Sequence, residues 1–141
     1  MAFKRISGKP RMAWFPKKAS IAIEVGDLMY PDGSGAIQLA DATSGEHVGI
    51  SLKKVVSTDS DYASNTMIPV DECGQDDIFE AEVTGTLTTA MVGTYLDLSD
   101  ANTVNAAATA KKVVLCVGFI SATLGLFRIT ANAYDKYVAT T

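Results

Sequence analysis

One stretch narrows the fold more than any other: Phe79, Ala81 and Val83 alternate strictly with Glu80 and Glu82. Side chains of a strand point alternately to its two faces, so this spacing puts an aromatic and two aliphatics on one side and two carboxylates on the other. A half-buried strand with a wet acidic face is expected. The same period returns where Ile21, Ile23 and Val25 alternate with Ala22 and Glu24, and where Val48, Ile50 and Leu52 alternate with Gly49 and Ser51. Residues 28–30 and 36–40 flank Pro31, Asp32, Gly33, Ser34 and Gly35. There proline presets φ and the glycines accept positive φ, so an antiparallel return is expected. A further turn is expected at Thr43, Ser44 and Gly45.

Later segments extend the pattern. Residues 67–70 suit a short strand, which Pro69 confines to a sheet edge because proline cannot donate to a ladder. Tyr95, Leu96 and Leu98 suggest another strand, and residues 113–120 and 124–131 a pair of buried ones. The polar stretch 57–65 reads as a surface loop. One short helix is expected over residues 87–92, with Thr86 or Thr88 to start it and Gly93 to end it. Residues 100–110 read as a connection, although the alanines of 105–110 also suit a helix. No internal repeat is visible. Many short strands between turn signals point to a mainly β fold: a compact β-barrel or sandwich with one short helix. A chain of 141 residues is sufficient for one such domain, taken here as residues 19–141, preceded by an extended N-terminal arm over residues 1–18.

The arm is set apart by charge. It holds Lys4, Arg5, Lys9, Arg11, Lys17 and Lys18 and no carboxylate, half of the 12 cations in the chain. From residue 19 onward the other six cations face all 16 carboxylates, a balance of −10 that disfavours nucleic acid as a partner of the body. Phe3, Met12, Trp14 and Phe15 are interleaved with the arm's cations. Aromatic and arginine side chains on an extended segment bury large areas and carry directed hydrogen bonds, which makes them anchors for a protein partner. Phe3, Lys4, Arg5, Lys9, Arg11, Trp14 and Phe15 are therefore the candidate partner-binding residues. The alternative is that Trp14 and Phe15 pack on their own domain.

Signatures of catalysis are missing from the sequence. It has no His-Glu-x-x-His helix, no Gly-x-Ser-x-Gly elbow, no phosphate loop and no dinucleotide fingerprint. Its single histidine, His47, lies in a polar turn and is expected at the surface. Asp59-Ser60-Asp61 lacks the glycine and glutamate spacing of a calcium loop. The acidic cluster of Asp71, Glu72, Asp76, Asp77, Glu80 and Glu82 is accounted for by strand alternation and a polar loop. No enzymatic activity, cofactor or metal is expected. With Cys116 in an apolar run and Cys73 in a polar stretch, two reduced thiols are expected, one bridge remaining open. Gly8, Lys9, Pro10 and Arg11 interrupt any secretory h-region, and residues 113–127 fall short of the ~20 apolar residues of a membrane helix. Neither export nor a membrane is expected.

The order of segments resembles a known family. Ile21 to Val25 is followed by Gly26-Asp27-Leu28, a glycine-rich turn, residues 36–40 and then His47-Val48-Gly49-Ile50-Ser51. Ala90-Met91-Val92-Gly93-Thr94-Tyr95-Leu96-Asp97-Leu98 is similar to the family's short helix, glycine and strand. Together these resemble the β-barrel or β-tulip decoration proteins of tailed bacteriophages. The resemblance implies a non-enzymatic cement protein, made in the host cytoplasm, that sits on the outer surface of the virion. It implies a homotrimer bound to the major capsid protein of the expanded head, with no membrane and no direct nucleic-acid contact. The basic aromatic arm has no counterpart matched residue by residue. Two other readings stay open: a phage tail-tube or head-tail joining protein, and a soluble β-barrel that binds a small ligand.

Overall fold

The alternating segments resolve into two sheets in the computed structural model, which describes residues 3–44, 46–74 and 76–130. The strands are β1 (Lys4–Ser7), β2 (Met12–Pro16), β3 (Leu28–Pro31), β4 (Ile37–Leu39), β5 (Gly49–Ser51), β6 (Met67–Asp71), β7 (Ile78–Thr84), β8 (Tyr95–Asp100), β9 (Thr103–Asn105), β10 (Val114–Ser121) and β11 (Leu124–Ile129). The expected mainly β fold is observed, as a closed five-stranded barrel plus a second sheet.

The barrel runs β7-β11-β10-β8-β9 and closes where β9 pairs in parallel with β7. Phe79, Ala81 and Val83 point into it, as their spacing requires, and meet Leu96, Leu98, Cys116 and Phe127. One edge of β7 is shared. β9 pairs with residues 82–84, while β1 pairs with residues 78–80 through Lys4↔Glu80, Arg5↔Phe79 and Ser7↔Ile78. The first strand of the chain thus fills the half of the barrel seam that β9 is too short to cover.

The second sheet has the order β2-β6-β5-β3-β4, and a bridge between Lys17 and Ile37 brings its two ends together. It curls around Met29, Ile37, Ile68 and Val70, with Ile23 and Val55 completing that core and Phe15 and Tyr62 packed against it. Leu28 and Ile50, which are cross-strand neighbours, belong instead to the barrel core. The two sheets are therefore packed through the outer face of the second.

Several expectations are corrected. Residues 3–18 do not form an extended appendage. Over its described residues the segment supplies one strand to each sheet, because its alternating apolar residues find open edges on β7 and β6. Ile21 to Val25 is not a strand. Only Ile23 bridges, to Val55, and the chain turns at once because Asp27 Oδ2 accepts the Glu24 N–H at 2.9 Å. Pro69 is not at an edge, since β6 lies between β2 and β5. The strand tolerates it because β5 pairing ends at Ser51↔Val70, so the missing donor lies one residue past that ladder, while the Pro69 carbonyl still accepts from Leu52 N at 3.0 Å. Gly49 and Ser51 are buried although alternation put them outward, because β5 is covered on both faces. Gly49 could not be otherwise: at φ +143° a Cβ would lie 2.2 Å from the Asp71 carbonyl oxygen.

The short helix is a single 3-10 turn, Thr89–Met91, without a side-chain cap from Thr88, and Gly93 follows at φ +92°. Residues 106–110 form no helix; β9 ends at Asn105, whose Oδ1 accepts the Ala107 N–H at 2.9 Å and starts a turn. His47 is buried and not at the surface. Cys73 is as buried as Cys116, and both are free thiols. Gly45 of the expected second turn, residue 131 of the last expected strand and the rest of 131–141 lie outside the described residues.

Candidate functional site

The candidate residues of the N-terminal segment divide by strand. Phe3 is buried in the barrel core. Arg5 reaches from β1 across to the other sheet, with Nη2 2.6 Å from Asp71 Oδ2 and Nη1 2.7 Å from Asp77 Oδ2, and it lies 4.8 Å over the Phe79 ring. Burial pulls its pKa down, but the hydrogen bonds and charges of Asp71 and Asp77 outweigh this and raise it. Arg5 is thus a tie between the sheets. Phe15 packs on the second core. Lys17 is fully buried, its Nζ donating to the carbonyls of Tyr62 at 2.7 Å and Ser64 at 2.8 Å, and desolvation lowers its pKa. Phe3, Arg5 and Phe15 therefore hold the fold together.

Lys4, Lys9, Arg11 and Trp14 face outward. Around Trp14 the register assembles a surface. On β2, Met12, Trp14 and Pro16 share a face, and their cross-strand partners on β6 are Asp71, Pro69 and Met67. Leu52, whose N–H meets the Pro69 carbonyl, extends the Trp14 row by one strand. Met12 is 59% exposed, Trp14 54%, Met67 49% and Leu52 40%. Scattered exposed apolar residues are ordinary, but here four large ones sit in adjacent rows with two prolines among them, which makes this a candidate interaction face.

The backbone of β2 is open on the same flank. Glu72 N–H donates to the Arg11 carbonyl at 2.7 Å and Lys17 N–H to the Thr66 carbonyl at 3.0 Å, so the odd-numbered residues turn their polar backbone toward β6. Met12, Trp14 and Pro16 turn theirs away. Apart from the bridge of Lys17 to Ile37, no strand pairs with that edge among the described residues. Pro16 removes one donor from it, a common way of blunting an edge. Three exposed cations surround the face: Lys9, Arg11, whose guanidinium rests on the neutral Glu72 carbonyl at 3.1 Å, and Lys18, which reaches Gln38 Oε1 at 3.3 Å. The arrangement can bind a protein surface through an apolar centre and a positive rim.

Leu52, Met67 and Pro69 were not legible as partners of Trp14, since a period-two pattern does not state which strands pair. Met12 was legible, because Met12-Ala13-Trp14-Phe15-Pro16 alternates outward and inward residues. The titratable groups elsewhere offer no comparable site. Both ring nitrogens of His47 are buried without a partner, and burial lowers its pKa to about 3. Burial likewise pushes the Cys73 thiol up. Asp71 and Asp77 are engaged by Arg5. Among the described residues no group of His, Cys, Asp and Glu is placed to hold a metal ion, and no helix is long and apolar enough to cross a membrane. No protein-family model matches the chain, and no curated protein matches it.

Proposed function

We propose that this protein is a capsid cement protein that binds the major capsid protein on the outer surface of an expanded phage head and stabilises the shell, acting as a homotrimer. The observation that carries the reading is the row of exposed Trp14 and Leu52 with the half-buried Pro69 between them and exposed Met12 and Met67 beside it, rimmed by cations. Such a face offers area and a central aromatic anchor. Each copy in an oligomer can hold its own capsid site, so modest individual contacts add through effective concentration and the whole dissociates slowly. The resemblance of segment order to the phage decoration proteins supplies the partner.

The test is to mix purified protein with expanded, undecorated capsids and follow pelleting and electron microscopy. Wild type is expected to co-sediment and to appear as regular surface density. Trp14→Ala is expected to bind much more weakly, by about 2 kcal/mol or more if the indole is the central anchor. Failure of the folded wild type to bind shells, or equal binding by the Trp14 variant, would refute the reading.

A further inference from the structure

Sulfur distinguishes the Trp14 face from the rest of the molecule. Of the four methionines among the described residues, Met29 is fully buried in the second core and Met91 is half-buried against the barrel core, whereas Met12 is 59% and Met67 49% exposed. Both exposed ones are on this face. Met12 stands two residues before Trp14 on β2, and Met67 stands opposite Pro16, two residues along β6 from the Trp14 partner Pro69. The indole therefore lies between two thioethers, one toward each end of the face. A thioether makes favourable contacts with an aromatic ring and adapts its shape to an apolar partner, which suits it to this position. The other soft nucleophiles are out of reach: Cys73 and Cys116 are fully buried, and burial raises both thiol pKa values.

We propose that Met12 and Met67 form a paired oxidation site, at which a peroxide turns the apolar face around Trp14 polar and so releases its partner while the fold stays intact. The sulfur of each thioether attacks one oxygen of hydrogen peroxide, so that an S–O bond forms as the O–O bond breaks. Sulfur loses two electrons, the peroxide is reduced, and its second oxygen leaves with both protons as water. Each sulfoxide carries an acceptor oxygen, and a partner that covers it without offering a donor leaves that oxygen unsatisfied. Neither side chain belongs to a core cluster, and backbone groups make the ladder of β2 with β6. Oxidation therefore acts on binding and not on folding. Thiol-dependent reduction reverses the reaction, which makes the face a switch. The inference rests on the capsid reading for its partner and goes beyond it in stating what turns the contact off.

Treating the full chain with hydrogen peroxide at neutral pH tests it, with peptide mapping, melting and shell pelleting on the same sample. Met12 and Met67 are expected to gain oxygen well before Met29, melting to stay unchanged, and affinity for undecorated shells to fall roughly tenfold or more. Methionine sulfoxide reductases for both epimers, with dithiothreitol, are expected to restore binding, which oxidative damage to Trp14 would not allow. A second arm needs no oxidant at all. Met12→Gln combined with Met67→Gln puts polar groups at the same two places and is expected to bind weakly, whereas Met12→Leu combined with Met67→Leu should bind and keep binding after peroxide. Full shell binding by the doubly oxidised protein, oxidation of Met29 as fast as of Met12, or equal losses in the leucine variant and wild type would each overturn the inference. Those results leave the cement reading standing, because untreated protein still binds. Untreated protein that ignores the shells would refute that reading and this inference with it.

Discussion

The two strands of the N-terminal segment, Lys4-Arg5-Ile6-Ser7 and Met12-Ala13-Trp14-Phe15-Pro16, meet opposite fates. β1 brings Phe3 and Arg5 inward, where the aromatic joins the barrel core and the cation spans two carboxylates. β2 turns Phe15 inward but leaves Met12 and Trp14 on the surface. What separates them is the surface each meets. β1 lies on the seam of a closed barrel with Asp71 of the other sheet and Asp77 just before β7 in reach, whereas β2 is the last strand of a sheet and has covered residues on one face only. Basic and aromatic composition marks the whole segment as distinctive, yet only pairing decides which of its residues are structural and which are presented.

The sharpest way to break this comparison is at Arg5. Arg5→Ala leaves Asp71 and Asp77 facing each other in a largely buried position, with side chains only 5% and 13% exposed. Removing one partner of a buried ion pair typically costs about 3–5 kcal/mol. Urea unfolding is expected to show a loss of that order, with partial recovery in Arg5→Lys. A loss under about 1 kcal/mol would place Arg5 with the presented residues.

A second test compares the buried histidine with the exposed face. His47 is neutral in the folded protein because burial lowers its pKa from 6.5 to about 3. Between those values the unfolded chain binds a proton that the folded one does not, so this group lowers stability as pH falls from about 6.5 toward 3 and contributes no pH dependence above that window. Stability is therefore expected to drop by several kcal/mol on the acid side, and His47→Leu to flatten that part of the profile. Denaturant midpoints at pH 7.5 and 4.5 for both proteins measure it. An unchanged slope in the variant would assign the acid sensitivity to the carboxylates.

How far these features could be seen beforehand follows from what alternation encodes. Phe79 to Val83 declared its two faces because one side is apolar and the other charged, and the turn at residues 31–35 declared itself through proline and glycine. Partnership is not encoded in this way. Pro69 inside the sheet depends on where β5 happens to end, and the burial of Lys17 depends on carbonyls at Tyr62 and Ser64, far along the chain. His47 looked like a turn residue because it follows Gly45 and Glu46 in the sequence, yet it is buried. The exposed apolar face itself was half visible: Trp14 stood out, but Met67 and Leu52 join it only through register.

Trp14 tests the presented side of the comparison directly. Its side chain is more than half exposed, so Trp14→Ala is expected to change folding stability by less than about 0.5–1 kcal/mol, far below the loss at Arg5, while capsid binding falls by about 2 kcal/mol or more. Thermal melting and shell pelleting on one preparation separate the two effects. Equal losses in both would mean that the indole supports β2 and does not serve a partner.

The smallest effect is expected at the rim. Lys9 is exposed on the turn between β1 and β2 and makes no ion pair among the described residues. A cation in that position raises the field that draws an acidic partner toward the apolar face, but it remains hydrated in the complex, so little of its energy appears in the bound state. Lys9→Gln should leave melting unchanged and the dissociation rate nearly so. Its signature is a lower association rate at low salt that converges with wild type as ionic strength rises and the Debye length shrinks to a few ångströms. Association rates on immobilised shells at low and high salt provide the measurement. If Lys9→Gln instead speeds dissociation at all salt concentrations, Lys9 lies within the contact, and the face extends from β2 back along the turn toward β1.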